Sequence, residues 1–416
     1  MIRNGNVRAV TERIAITGIG VVSTFGDSAE AFRDSLLEGR SGIAPVEAFV
    51  AAGCRSTLAA RVSGFDAARW ISPMKLRRMD DTGPLALVAA QQALSEAGYA
   101  VTPEGDDRGG VVLGTYSAGG QATSEYLSAL FRGGPTGAPA LLFNSTVGNA
   151  AAGLAGLEYR LRGPNLTISQ KEASGLAAIV TAFDLMNQDR ADGLLAGGVD
   201  SIYDLFYRTH DRFGVMAEGT SAGEDVAPFS RTRSGFVLGE GGFVLWLERP
   251  DRARARGARI RAELLGVSAS SAAIRLNAWP DREEPLVRSM SMALREAGIE
   301  AEDVDVVYAS ANASRTLDAV EGRALLQLFG KARAVVTSIK GAIGEFGAGG
   351  SAACAAAVLC GACGRVPPVA GLITPEPWLE SLRIATAAME APGPIALVNS
   401  FGSGGALFTA VLRVNT

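Results

Sequence analysis

Apolar and small residues run almost unbroken through RIAITGIGVVSTFG (13–26), a pattern that predicts a strand buried on both faces and ending in a glycine-containing turn. The period then lengthens in SAEAFRDSLLEGRSG, a helical pattern with Ser28 as its N-cap candidate. A second strand, GGVVLGTYSAGG, leads into a helix carrying Glu125, Tyr126 and Leu127. NLTISQKEASGLAAIVTAFDL (165–185) reads as an apolar strand, a sharp polar turn and a helix of small residues. Such a turn presents a nucleophile when it carries cysteine or serine, and here it carries Glu172. ADGLLAGGVDSI follows, then a turn-rich region, then SGFVLGEGGFVLWLE as two strands joined through 239–242. The remainder repeats the plan: SMSMALREAGI as helix, VDVVYASANAS as strand and loop, AVEGRALLQLFG as helix. AVVTSIKGAIGEFGAGGSAACAAAVL is again strand, turn and small-residue helix, and GPIALVNSFGSGGALFTAVLRV is a closing hairpin. The strand, turn and small-residue helix therefore occur twice, at 165–186 and 335–360, as a duplicated α/β unit would leave them.

Composition fits two similar halves. The chain has 416 residues, 48% of them apolar and only 6% aromatic, so its elements pack closely through small side chains rather than around large rings. A net charge of −4 gives no electrostatic reason to bind nucleic acid or an anionic membrane. The N-terminus lacks the apolar core and cleavage site of a signal peptide, and FGAGGSAACAAAVLCGACG is too rich in Gly and Ala to read as a membrane span. A buried helix and a cytoplasmic protein are expected. Cys54, Cys354, Cys360 and Cys363 are too few for a disulfide framework. CGAC has no second pair and no neighbouring histidine, so buried small-residue packing outweighs a metal or redox role, and no metal or cofactor is expected. Only four lysines occur, Lys75, Lys171, Lys331 and Lys340, which singles each of them out.

The sharpest inference comes from absence. The chain holds one histidine, His210, and no cysteine at a strand-to-helix turn of its first half, so a nucleophile served by two histidines is impossible. His210 itself reads as a satisfied structural residue. TGIGVVS lacks the third glycine of a dinucleotide fingerprint, and NSFGSGGALF lacks the lysine of a phosphate loop. The backbone N–H groups of NSFGSGGALF either line a polar pocket or pack a tight hairpin. ERPDRARARGARIRAEL is either a solvated arginine-rich helix face or a docking patch for an acidic partner.

Over residues 12–414 the order of RIAITGIGVVS, LRGPN, PFSRTRSGFVLGEGGFVLWLE, SIKGAIGEFGAGG and NSFGSGGALF resembles the β-ketoacyl synthases of the thiolase superfamily. The resemblance implies a thiolase-like α/β fold of duplicated βαβαβαββ halves, 12–250 and 251–416, in αβαβα layers. It puts the family's nucleophilic cysteine at Glu172 and its two histidines at Ser310 and Glu345, while Lys340, Glu321, Glu240 and Phe401 remain. Glutamate is a poor acyl acceptor, and a second carboxylate repels a developing oxyanion. The chain then resembles the chain-length factors, the ketosynthase β subunits of type II polyketide synthases. From this follow the expectations that it is no enzyme on its own, pairs with a competent ketosynthase α subunit, and meets an acyl carrier protein. Tunnel or gate candidates are Gln121, Ser124, Ser128, Leu142 and Phe401, and the strand Asn165, Leu166, Thr167, Ile168 and Ser169 is expected at the dimer interface. Glutamate where the aromatic-polyketide pattern carries glutamine leaves a polyene-type reducing system open. Two alternatives stand beside this: a homodimeric scaffold or carrier-protein binder, and a malonyl-carrier-protein decarboxylase. Glu172 and Glu345 are either remnants held by structure alone, or one of them pairs with Lys340 in a buried plug.

Overall fold

The computed structural model describes residues 12–218 and 223–416; of the stretch read as free of a signal peptide, 1–11 lie outside the described residues. The first half supplies β1 (Ile14–Val22), β2 (Gly109–Gly114), β3 (Asn165–Ile168), β4 (Gly193–Asp200) and β5 (Gly241–Glu248). The second supplies β6 (Ala262–Ser271), β7 (Val306–Tyr308), β8 (Val335–Thr337), β9 (Ile395–Gly402) and β10 (Ala406–Val414). From its outer edge inward the first set runs β3-β2-β4-β5-β1 and the second β8-β7-β9-β10-β6, with the two-residue strand Arg383–Ile384 beyond β8. Parallel and antiparallel pairs fall at the same places in both. The halves therefore share one strand order, and antiparallel pairing of Ile14–Ile16 with Ala262–Leu264 joins them into a single eleven-stranded sheet.

Four helices set the layers: α1 (Thr82–Glu96), α2 (Ser174–Asn187), α3 (Glu284–Ala297) and α4 (Gly349–Gly361). α2 and α4 pack on each other and on strands of both halves, whereas α1 covers the outer face of the first half and α3 that of the second. Three large apolar clusters follow, one around the central helices and one under each outer layer, which is a five-layer thiolase-like arrangement. Small residues make it possible. Twelve of the thirteen residues of α4 are buried, because GGSAACAAAVLC presents nothing larger than leucine on any face.

Several local expectations change. Thr82–Glu96, to which the sequence reading assigns nothing, is a 15-residue helix with buried residues around most of its circumference, so no apolar stripe marks it. The two strands expected in SGFVLGEGGFVLWLE separate at Glu240: Leu238–Gly239 pairs with Leu58–Ala60 in a small second sheet, and only β5 joins the main one. The reason is the Glu240 carboxylate, which turns away to accept the Val62 and Ile202 amides (2.9 and 2.7 Å) beside Gly241 at φ +152°. The arginine-rich segment forms only the six-residue helix Pro250–Ala255. Its arginines turn to the chain's own carboxylates, Arg252 to Asp192 (2.6 Å) and Arg256 to Glu248. Of the four cysteines only Cys354 and Cys360 are buried; Cys363 is exposed, because α4 ends before it. Among the described residues no group of ligating side chains could hold a metal ion, and no helix is long and apolar enough to cross a membrane.

The close approach of β1 to α1 rests on glycine. A Cβ on Gly20 would lie 1.7 Å from the Ala89 carbonyl oxygen, whereas one on Gly133 would meet nothing within 4 Å. Gly20→Ala is expected to lower the urea unfolding midpoint, at a cost of at least about 1–3 kcal/mol. Gly133→Ala should leave it unchanged or raise it by about 0.5–1 kcal/mol.

Candidate functional site

The turn after β3 is closed by its own side chains. Ser174 Oγ accepts from the Gln170 amide (2.8 Å) and donates to the Lys171 carbonyl (2.6 Å), and Lys171 takes the left-handed φ of +53°. The Gly175 amide then donates to the Gly347 carbonyl (2.7 Å), so the turn that starts α2 abuts the one that precedes α4. Two positions distant in sequence, Glu172 and Glu345, are thereby held near one another at the centre of the molecule.

Their partners differ. Glu345 is 1% exposed, and its Oε2 accepts from Lys340 Nζ (2.6 Å) and Asn312 Nδ2 (2.7 Å). Lys340 Nζ also reaches Ser310 Oγ (3.5 Å), which accepts from the Phe401 amide (2.9 Å). The Ser310 amide donates to Glu321 Oε1 (2.9 Å), which also accepts from Asn399 Nδ2 (3.0 Å). Glu172 takes no lysine: its Oε2 accepts from the Ser403 amide (3.0 Å) and its Oε1 from Ser403 Oγ (2.9 Å). Lys171 Nζ in turn donates to Ser403 Oγ (2.6 Å) and to Asn277 Oδ1. Of the two pairings the sequence left open, Lys340 thus takes Glu345.

Burial dominates the electrostatics. It pushes the Glu345 carboxyl up to about 7; Lys340 pulls it down, and the charge of Glu172 pushes it up further. Burial likewise raises Glu321 to about 7, against hydrogen bonds from the Ser310 amide and Asn399. One oxygen of each, Glu345 Oε1 and Glu321 Oε2, has no hydrogen-bond partner, which a protonated carboxyl tolerates better than an anion.

Glu172 opens on a cavity of about 600 Å³ whose wall includes Tyr116, Lys171, His210, Trp279, Arg315 and Ser403. None of the five gate candidates is among the described residues that line it. Gln121, Ser124 and Ser128 are half-buried on one face of the helix Gly120–Gly133, and Leu142 is half-buried in the turn Ala140–Ser145. Phe401 is fully buried in the core cluster of the second half. β3 stands at the free edge of the sheet, with Asn165, Leu166 and Ser169 exposed and Thr167 and Ile168 half-buried. Glu240 braces Val62, Ile202 and Arg61 away from the cavity. Sequence reasoning missed Ser403, Asn312, Asn277 and Tyr116. The signal for Ser403 was present in NSFGSGG, whose N–H groups were already candidates for a polar pocket, and that for Lys171 in the scarcity of lysine.

A family model described as "Beta-ketoacyl synthase, N-terminal domain" matches residues 11–253, and one described as "Beta-ketoacyl synthase, C-terminal domain" matches 261–372. The chain belongs to the β-ketoacyl synthase family. Among curated members, "3-oxoacyl-[acyl-carrier-protein] synthase 2" of Synechocystis sp. is 29% identical over 95% of this chain and 96% of its own length. Two solved β-ketoacyl synthase structures are similar throughout. "The ishigamide ketosynthase/chain length factor" superposes with a TM-score of 0.89 at 27% identity, covering 98% of this chain and 100% of that one. A type II PKS acyl-carrier protein in complex with its ketosynthase, "AntDE:AntF (apo)", superposes with a TM-score of 0.88 at 26% identity, covering 97% and 100%. The expectation that this chain is no enzyme on its own is corrected by these relatives, since curated proteins matched over nearly its whole length bear the name of an enzyme.

Lys340→Met is expected to cost about 3–5 kcal/mol in equilibrium unfolding at pH 8, because it strands a buried carboxylate. The loss should shrink at pH 6, where Glu345 carries its proton; an unaltered midpoint at both would show that the pair contributes nothing. The native protein itself should be less stable at pH 8 than at pH 5.5, by roughly 2–4 kcal/mol. Glu345 and Glu321 titrate near 7 when folded and in the ordinary carboxylate range when unfolded, so the folded state binds the extra protons and loses that advantage as pH rises through 7.

Proposed function

We propose that this chain is the chain-length-factor subunit of a heterodimeric ketosynthase. The observation that carries the reading is the state of Glu172. At the turn where the resemblance puts the family's cysteine, a carboxylate already accepts the Ser403 amide and hydroxyl, so the acyl chain is held on the cysteine of a partner ketosynthase. Ser310 and the Lys340–Glu345 pair fill the positions of the two histidines with a buried, internally bonded group.

The surface supports a partner. β3 offers an unpaired edge, and seven of the seventeen exposed large apolar side chains of the described residues fall between Leu127 and Leu166, among them Phe131, Leu141, Phe143 and Leu157. An apolar patch beside an open strand edge is a protein-binding surface. Gln121, Ser124 and Ser128, at i, i+3 and i+7 on the helix Gly120–Gly133, line the acyl tunnel of the pair, with Leu142 reaching toward the partner. Acyl chains arrive on an acyl carrier protein, as the likeness to a ketosynthase in complex with its carrier protein supports.

Coexpression with a cysteine- and histidine-bearing ketosynthase of the same organism should give a 1:1 complex on size exclusion, and Leu166→Asp should weaken it by about 2–4 kcal/mol. A stable homodimer that ignores the ketosynthase would overturn the reading. Within the complex, Ser128→Phe should shorten the product detected by mass spectrometry; unchanged length would remove Ser128 from the tunnel.

A further inference from the structure

Inside the Glu172 cavity, Ser403 is flanked by two charged groups of opposite sign. Lys171 Nζ lies 2.6 Å from Ser403 Oγ on one side, and Glu172 Oε1 lies 2.9 Å from it on the other. An ammonium can only donate, so the serine oxygen accepts from Lys171 and its own hydrogen goes to the carboxylate. The hydroxyl proton is thereby directed at a base, and the oxygen it would leave behind faces a cation. All three residues line the cavity of about 600 Å³, a volume that suits a small molecule.

Backbone geometry holds the three together. Ser403 occupies the tight turn between β9 and β10, followed by Gly404 and Gly405 at φ +108° and +99°. The Gly405 amide closes that turn on the Gly402 carbonyl (3.0 Å), and the Gly404 amide ties it to the Ala278 carbonyl (2.9 Å). A Cβ on Gly402 would lie 2.9 Å from the Gln170 carbonyl oxygen, so the hairpin presses directly on the turn that carries Lys171 and Glu172. Glu172 is steadied by a second bond, its Oε2 accepting the Ser403 amide at 3.0 Å. Lys171 Nζ gives one further hydrogen to Asn277 Oδ1, and its third has no hydrogen-bond acceptor among the described residues.

We propose that Ser403 is a nucleophile, with Glu172 as its general base and Lys171 as its oxyanion partner, and that this cavity hydrolyses short-chain acyl esters or thioesters. Ser403 Oγ attacks the acyl carbon while its proton passes to Glu172, and the third hydrogen of Lys171 meets the carbonyl oxygen as charge develops there. Collapse breaks the bond to the leaving alcohol or thiol, which takes the proton from Glu172 and leaves an ester on Ser403. Water then attacks that ester and gives its proton to Glu172; the serine oxygen leaves, recovers the proton, and the free acid departs. No oxidant or reductant is needed. Phe213 and Val215 line the cavity and are exposed, so it opens to solvent, and with Phe236 and Trp279 they give a short acyl group an apolar wall. Gln121, Ser124 and Ser128 do not border it, so this substrate enters apart from the acyl tunnel of the pair.

Treating the purified chain, alone or in its complex, with a fluorophosphonate should place the phosphonyl group on the peptide that carries Ser403, a result read by mass spectrometry without any variant. The same protein should hydrolyse p-nitrophenyl acetate and S-acetyl-N-acetylcysteamine, with an acetyl group trapped on Ser403. Glu172→Gln should slow hydrolysis by about 10²–10⁴-fold. Ser403→Ala should abolish turnover and label together, while Ser403→Cys still takes up the acetyl group. Label confined to Lys171 or to other residues, no label at all, or unchanged turnover in a folded Glu172→Gln protein overturns the proposal. Where the variants do not fold, labelling of the native chain decides alone. Failure of a ketosynthase to copurify would sink the pairing and leave a labelled Ser403 standing; an unlabelled Ser403 in an intact 1:1 complex would sink this activity alone.

Discussion

Everything at the centre depends on two backbone turns meeting without side chains between them. The Gly175 amide reaches the Gly347 carbonyl at 2.7 Å, and a Cβ on Gly175 would lie within 3.1 Å of the Ala348 Cα. That contact sets α2 against α4, and with them the two halves. It also places the turns that carry Glu172 and Glu345 close enough for their charges to act on each other.

Two carboxylates and one lysine share the centre, and geometry decides the allocation. Lys340 belongs to the second turn, five residues before Glu345, and bonds to it at 2.6 Å. Glu172 is left to the hairpin between β9 and β10, where an amide and a hydroxyl of the same residue satisfy both its oxygens. Neutral donors suffice there because Glu172 borders a cavity open to water, whereas Glu345 has no such relief and is raised by burial. The two positions are equivalent in the duplicated plan and opposite in electrostatic circumstance.

The repeat was legible because α2 and α4 are built from small residues after an apolar strand, a pattern that survives without any structure. Ser28 as an N-cap was legible for the same local reason: its hydroxyl accepts the Ala31 amide. α1 was not, since a helix buried on most sides has no polar face to set its period. That Glu172, Ser310 and Glu345 stand where the resemblance puts a nucleophile and two histidines could be read from residue identity alone. Which carboxylate holds Lys340 could not, because the answer depends on a contact between turns some 170 residues apart, as Gly175 and Gly347 are. Nor could the contact of Tyr116 with Phe206 and His210, which lie on a loop and a helix whose meeting no local pattern announces.

The seam between the halves has a consequence for biosynthesis. β1, among the first described segments to leave the ribosome, has as sheet neighbours only β5 and β6, which begin at Gly241 and Ala262. Until more than half the chain has been made, its two edges stay open, and all nine of its residues, buried in the finished fold, lack their cover. The nascent protein must shelter a sticky ribbon over that interval. Exposure of that strand during synthesis is thus a route to aggregation that the completed fold's stability does not measure.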